Sequence, residues 1–166
     1  MKRLMTAVTT LILVWEDRLK RDERGSVTTE HVLWAVAVIA IDLNGLKAIN
    51  DEHGHAAGDA MLRRAGEVLA KAVDASACTA RIGGDEFCVL LPMTDERGAQ
   101  ALMERIISLQ ELNNQFYPGQ ALSLSMGVAV AMSGDQIEAA AHQADQAMYA
   151  EKARYYAAMG LDRRHA

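Results

Sequence analysis

The chain has 166 residues, 51% of them hydrophobic, and a formal net charge of −5. That length supports one domain with its own core, and that hydrophobic content excludes a disordered chain. The acidic balance argues against a general nucleic-acid binder, which needs a basic surface, yet leaves room for a nucleotide held by a few local cations and a metal.

Met1-Lys2-Arg3 precedes an uncharged run from Leu4 to Trp15, and the charged segment Glu16 to Arg24 follows. The run is shorter than the ~20 residues that span a bilayer, and no small-x-small cleavage site follows it. A helix packing on the domain is the expectation for this region, with no stable membrane span. Gly25-Ser26-Val27-Thr28-Thr29-Glu30 ahead of an apolar run has the layout of a prepilin leader junction. Asp42 ends that run at about half a membrane span, so a membrane-tethered, pilin-like protein fails on run length.

Ala35 to Ile41 is continuous, short and β-branched, the pattern of a buried central strand, and it ends at Asp42. Gly54 to Asp59 leads into a helix with Leu62, Ala65, Val68, Leu69, Ala72 and Val73 on one face and Arg63, Arg64, Glu67 and Lys71 on the other. Two β-prone runs, Ala77 to Ala80 and Cys88 to Pro92, flank Gly83-Gly84-Asp85 and predict a hairpin whose glycines supply positive φ. Asp95 is placed to cap a helix with a buried stripe of Ala99, Leu102, Ile106, Leu109 and Leu112. Tyr117-Pro118-Gly119 predicts a turn. Leu122, Leu124, Met126, Val128 and Val130 alternate with small or polar residues, predicting a strand with one buried face. Gly134-Asp135 breaks it, and an Ala-rich helix runs from Ile137 to Tyr156.

Strand, helix, strand, strand, helix, strand predicts an α+β, ferredoxin-like βαββαβ fold, with an added C-terminal helix and an N-terminal helical segment. In that topology the first and third strands are antiparallel neighbours. The hairpin tip, carrying Asp85 and Glu86, then rises beside Asp42. Crowded carboxylates repel unless a hard cation is held among them by oxygen ligands. A turn centred on Gly84-Asp85 pairs Arg81 with Cys88 and Cys78 with Leu91. The two cysteines then stand three positions out of register, roughly 10 Å apart, and reduced thiols in a cytoplasmic protein are expected. His53 and His55 match no zinc spacing, and loop hydrogen bonding is the expectation for them. Met148-Tyr149 and Tyr155-Tyr156 are expected to pack the last helix.

Gly83-Gly84-Asp85-Glu86-Phe87 spells the signature of the GGDEF family, the diguanylate cyclases. Asp42-Leu43-Asn44-Gly45-Leu46-Lys47-Ala48-Ile49-Asn50-Asp51, with Gly54-His55 and Gly58-Asp59, resembles the family's second hallmark segment. Ala144 to Lys152 resembles its closing motif, so the similarity runs from about Val36 to Lys152. The resemblance implies a nucleotidyl-cyclase-like palm that condenses two GTP into cyclic di-GMP and two pyrophosphates with Mg²⁺ or Mn²⁺. By the same resemblance Asp42, the Leu43 carbonyl, Asp85 and Glu86 form the metal set, and Glu86 helps activate the ribose 3′-hydroxyl or completes the metal shell. Gly45, Leu46, Lys47 and Lys152 would hold phosphates. Gly83 and Gly84 would let the substrate approach the backbone. Asn50 and Asp59 would read the guanine edge, and Leu62 would pack the base. A homodimer is implied, since each site holds one GTP.

The chain also departs from the family pattern. No Asp-x-Leu-Thr turn precedes Val36, and Tyr156 stands where the family usually has an arginine four residues after the closing lysine. A catalytically weak or inactive module that binds GTP or cyclic di-GMP is therefore the alternative function. The expected organisation is an atypical segment over 1–34, a GGDEF domain over 35–158 and a tail over 159–166. The family's inhibitory Arg-x-x-Asp is replaced by Asp74 and Ala77, so no inhibitory site is expected there. Saturating cyclic di-GMP should leave the initial rate unchanged by way of this position; a fall in rate that Asp74→Ala abolishes would contradict it.

Overall fold

The structure is a computed structural model that describes residue 6, residues 8–10 and residues 35–160. The prepilin-like junction and most of the predicted N-terminal helix lie outside the described residues, as do residues 161–166. Residues 6 and 8–10 are helical, and the Val8 side chain is fully buried.

In chain order the elements are β1 (Val36–Leu43), α1 (Leu46–His53), α2 (His55–Ala72), β2 (Cys78–Arg81), β3 (Glu86–Pro92), α3 (Glu96–Asn114), β4 (Leu124–Ala131) and α4 (Ile137–Ala158). The sheet order is β2-β3-β1-β4, all antiparallel, as the ferredoxin-like expectation requires. β1 is buried along its whole length and continues through Asp42 to Leu43, further than its apolar run suggests. Period-two alternation divides it between two layers. Ala37, Ile39, Ile41 and Leu43 face a core shared with Leu62, Leu69 and Ile106, on the side of α2 and α3. Val36, Val38 and Ala40 face Ala140, Ala141, Ala144 and Met148 of α4. Asp42 continues this second series, so its side chain is delivered to the α4 face.

α1 was not foreseen as a separate helix, because it has only eight residues, none fully buried, and its apolar side is just Leu46 and Ile49, half-buried against the core. Two glycines delimit it: Gly45 at φ 73° before it and Gly54 at φ 80° after it. Both sit in the left-handed region that side chains avoid. On α2 Leu62, Ala65, Val68, Leu69 and Ala72 of the expected apolar stripe are buried, while Val73 caps the helix half-buried; Arg64, expected on the solvent face, is buried too. Its guanidinium donates to Asn113 Oδ1 at 2.9 Å, the Gln120 carbonyl at 2.8 Å and Asn114 Oδ1 at 3.1 Å, and stacks on Tyr117 at 3.9 Å. Those partners satisfy its donors, which is what lets an arginine leave the surface. They also anchor the turn between α3 and β4. Asp95 caps α3 as expected, accepting from Gly98 N at 2.8 Å. Leu112 at the far end of its stripe is 50% exposed, a correction to the expected burial.

The hairpin is shifted by one position from the expected register: Arg81 pairs with Phe87 and Cys78 with Leu90. Cys78 and Cys88 still do not face each other, and both are buried free thiols. Burial pushes the Cys88 thiol up to about 12. Neither Gly83 nor Gly84 has positive φ, contrary to expectation. β4 is not one-sided either. Its larger residues meet the core under α2 and α3, while Ser125 and Gly127 are buried on the other face. The small residues there let α4 come close, and at Gly127 a Cβ would collide with the Ala144 carbonyl and the Met148 backbone nitrogen. Gly127→Ala should therefore cost about 1–3 kcal/mol by overpacking. A lower urea midpoint with unchanged slope is the expected measurement; a wild-type midpoint would show that α4 does not rest on this strand.

Candidate active site

The register of β1 with β3 sets the site, because it places Asp42 directly opposite Glu86. The tip of the hairpin is fastened to the end of β1 by Leu43 N donating to the Asp85 carbonyl at 2.9 Å. Within the tip, Ile82 N donates to the Glu86 carbonyl at 2.8 Å, and the Arg81 guanidinium donates to the carbonyls of Gly83 at 3.1 Å and Gly84 at 2.7 Å. Gly83 has a different purpose from the one its sequence suggests. The Glu86 carboxylate lies where a Gly83 Cβ would be, so the glycine provides space instead of an unusual φ.

Asp42 is the buried member of the group, 3% exposed. Lys152 on α4 donates to its Oδ2 at 2.8 Å and stands 3.8 Å from Asp85 Oδ2. Asp42 Oδ1 is buried and accepts no hydrogen bond. Desolvation by burial dominates this carboxyl, the bond from Lys152 opposes it, and the nearby Asp85 charge adds to it; the result is a pKa pushed up to about 6. For Lys152 burial favours the neutral amine, but its bond to Asp42 and the charges of Asp42 and Asp85 together carry its pKa above the ordinary value. Among the described residues, no three His, Cys, Asp or Glu side chains are gathered closely enough to hold a metal by themselves. The geometry explains this: Lys152 lies against Asp42, and Glu86 folds over Gly83. The donor set nevertheless suits a hard divalent cation, since it is all oxygen and includes a buried carboxylate oxygen with no partner.

Beyond Asp42 the chain turns into α1. Asn44, 3% exposed, is fixed there by Nδ2 donating to Ser123 Oγ at 3.0 Å and by Oδ1 accepting from Ser125 Oγ at 2.9 Å. The Gly45 amide donates to the Tyr156 hydroxyl at 3.2 Å. No side chain caps the start of α1, where Leu46 and Lys47 lie, and Lys47 is exposed. Asn50 on α1 rests against Gly58 of α2, so close that a Cβ at Gly58 would overlap its amide. That contact brings Asn50 beside the turn of helix that carries exposed Asp59 and buried Leu62. Asn44, Ser123, Ser125 and the Tyr156–Gly45 contact were not foreseen. An Asn-Gly pair at a strand end is a turn signal that could have singled out Asn44, whereas nothing local marks the two serines or the tyrosine as its neighbours.

The raised Asp42 pKa has a consequence for stability. A carboxyl whose folded pKa of about 6 exceeds its ordinary 3.8 supports the fold fully below the lower value, and that support is lost as pH rises through the higher. Asn cannot ionise. In metal-free protein the stability of Asp42→Asn relative to wild type should rise between about pH 4 and pH 6–7 and then level off. Lys152 stays charged throughout this range. Urea midpoints of both proteins at pH 4, 6 and 8 in chelator would check it, and a difference independent of pH would refute it.

A family model described as "Diguanylate cyclase, GGDEF domain" matches residues 18–156. The chain is 37% identical over 119 residues to the probable diguanylate cyclase DgcE of Escherichia coli strain K12, which covers 70% of this chain and 11% of that protein. The fold is similar to the GGDEF domain of TpbB (YfiN) from Pseudomonas aeruginosa, with TM-score 0.67 and 30% identity over 90% of this chain and 83% of the other. It is also similar to the GGDEF domain of DgcB from Caulobacter crescentus in complex with c-di-GMP, with TM-score 0.63, 25% identity and 72% of each chain covered. The chain spans between 11% and 40% of the length of three of its curated relatives. No helix among the described residues is long and apolar enough to cross a membrane. With the Gly83–Phe87 tip paired against Asp42 and a family match over most of its length, the chain belongs to the GGDEF domain family.

Proposed function

We propose that the chain is a diguanylate cyclase, converting two GTP into cyclic di-GMP and two pyrophosphates. The observation that carries this is the β1–β3 register, which sets Asp42 across from Glu86 and fastens Asp85 to the same strand end. Asp42, Asp85, Glu86 and the Leu43 carbonyl would hold Mg²⁺ or Mn²⁺. The cation would supply a Lewis acid for the triphosphate and lower the pKa of the attacking hydroxyl. Lys152 can turn its ammonium from Asp42 to phosphate oxygens once Asp42 has another cation to neutralise it.

The start of α1 would offer the amides of Gly45 and Leu46 and the Lys47 ammonium to the phosphates, where the helix dipole favours an anion. Asn50 and Asp59 face the base. A carboxylate can accept from the N1–H and N2–H₂ of guanine, a pairing adenine does not offer, so the site selects GTP over ATP. Leu62 covers the base with apolar surface. In each half-reaction a ribose 3′-oxygen forms a bond to the α-phosphorus of the other nucleotide, the α–β bridge breaks, and pyrophosphate leaves with its electron pair. Glu86, beside the tip glycines, is placed to take the hydroxyl proton. One site binds one GTP, so two copies of the domain must face each other.

A second function, a GTP- or cyclic-di-GMP-binding module without turnover, is favoured by one observation. Lys152 and Tyr156 already occupy Asp42 and the Gly45 amide, and Tyr156 brings no positive charge. Incubation with GTP and Mg²⁺ followed by nucleotide separation distinguishes the two. Wild type should yield cyclic di-GMP at a rate rising more than linearly with protein concentration. Asp85→Ala and Glu86→Ala should each lose about 100-fold or more. GTP binding without product would select the module.

A further inference from the structure

Lys152 and Tyr156 lie four residues apart and therefore on one edge of α4. The first holds Asp42 and the second holds Gly45 N. α4 cannot easily shift to release them, because its backbone is seated directly on Gly127. Tyr156 is 6% exposed, and its ring is packed edge-on to Tyr155 at 5.2 Å. Its hydroxyl reaches the turn ahead of α1, where Asn44 is clamped by Ser123 and Ser125 and Gly45 takes φ 73°. The turn is thus rigid, and the direction of the Gly45 N–H is set. At 3.2 Å the contact is at the long end for an N–H···O bond between neutral groups. A phosphate oxygen at the same amide would form a shorter, charge-assisted bond.

We infer that the Tyr156 hydroxyl gates the Gly45 amide. In the nucleotide-free chain it takes the donor that a phosphate oxygen of the bound nucleotide claims, so binding exchanges one acceptor for another. Tyr156 is therefore an affinity-setting residue that weakens the hold on the triphosphate, acting through the one amide it occupies. The inference rests on the nucleotide-binding function proposed above. It goes beyond it by assigning a role to a residue outside the metal and base contacts.

Tyr156→Phe removes the hydroxyl and keeps the buried ring. Calorimetry with Mg²⁺ and the α,β-methylene analogue of GTP, whose α–β bridge cannot be cleaved, should show roughly three- to tenfold tighter binding than wild type, the worth of one competing hydrogen bond. In ¹H–¹⁵N spectra the Gly45 amide of the two free proteins should differ, and on saturation the two should converge, since both then have the same partner. The wild-type chain also carries the test alone, because its Gly45 resonance must move on saturation. Unchanged affinity, or a Gly45 amide that stays on Tyr156 when nucleotide is bound, overturns the gate. Weaker binding by Tyr156→Phe overturns it too, because the hydroxyl would then be a donor to the nucleotide. If neither folded protein binds the analogue, the nucleotide-binding function itself fails and the gate with it.

Discussion

The site depends on burying one charge. Asp42 stands at the end of a central strand whose every residue is covered, and only one of its two oxygens has a partner. A carboxylate there is tolerated because Lys152 reaches it, and Lys152 reaches it because α4 lies unusually close to the sheet. That closeness is created by absences of side chain: Gly127 on β4 and Ala140, Ala141 and Ala144 on α4. Packing of very small residues and the electrostatics of the site are therefore one constraint. Interiors packed at this density transmit such dependence with little slack.

The hairpin tip follows a related logic. Its glycines serve neither as positive-φ residues nor as a generic flexible turn. Gly83 leaves room for the Glu86 carboxylate, and the carbonyls of both glycines are tied down by Arg81. The result is a tip held from within by Arg81 and from outside by the Leu43–Asp85 backbone bond. Two acidic side chains are thus presented on a fixed backbone, the condition under which carboxylates can be placed for a cation without a reorganisation cost at the moment of reaction.

On the other side of Asp42, polar fixation is added to a thin apolar contact made by Leu46 and Ile49. Asn44 is locked by two serines from the β4 side, and α1 buries none of its residues. The start of α1 is positioned by the half-buried Leu46 and Ile49 against the core and by these hydrogen bonds, to which the Tyr156–Gly45 contact adds one more. With only half-buried contacts to the core, the helix also draws its orientation from its ends: the Asn44–Gly45 turn at one and Gly54 at the other. Arg64 does comparable work at the same end of the sheet, where it ties α2 to the turn that leads from α3 into Ser123 and β4.

Hydrophobic period and turn residues in the sequence were sufficient for the ferredoxin-like order of elements, the antiparallel contact of β1 with β3, the Asp95 cap and the family signature, because each is written in neighbouring residues. An element whose apolar side is only two residues escaped it, as α1 did with Leu46 and Ile49, and so did residues whose surroundings come from distant segments. Arg64 looked like a surface arginine until Asn113, Asn114 and Gln120 were brought to it, and the small residues of β4 looked like an exposed face until α4 covered them. Hairpin register was off by one because turn geometry, not strand composition, sets it. Asp42, Asp85 and Glu86 were identifiable as chemistry from the sequence alone. That Lys152 neutralises the buried one and that Tyr156 occupies Gly45 were decided only by tertiary structure, because contacts over a hundred residues apart follow from how closely one helix can approach one sheet.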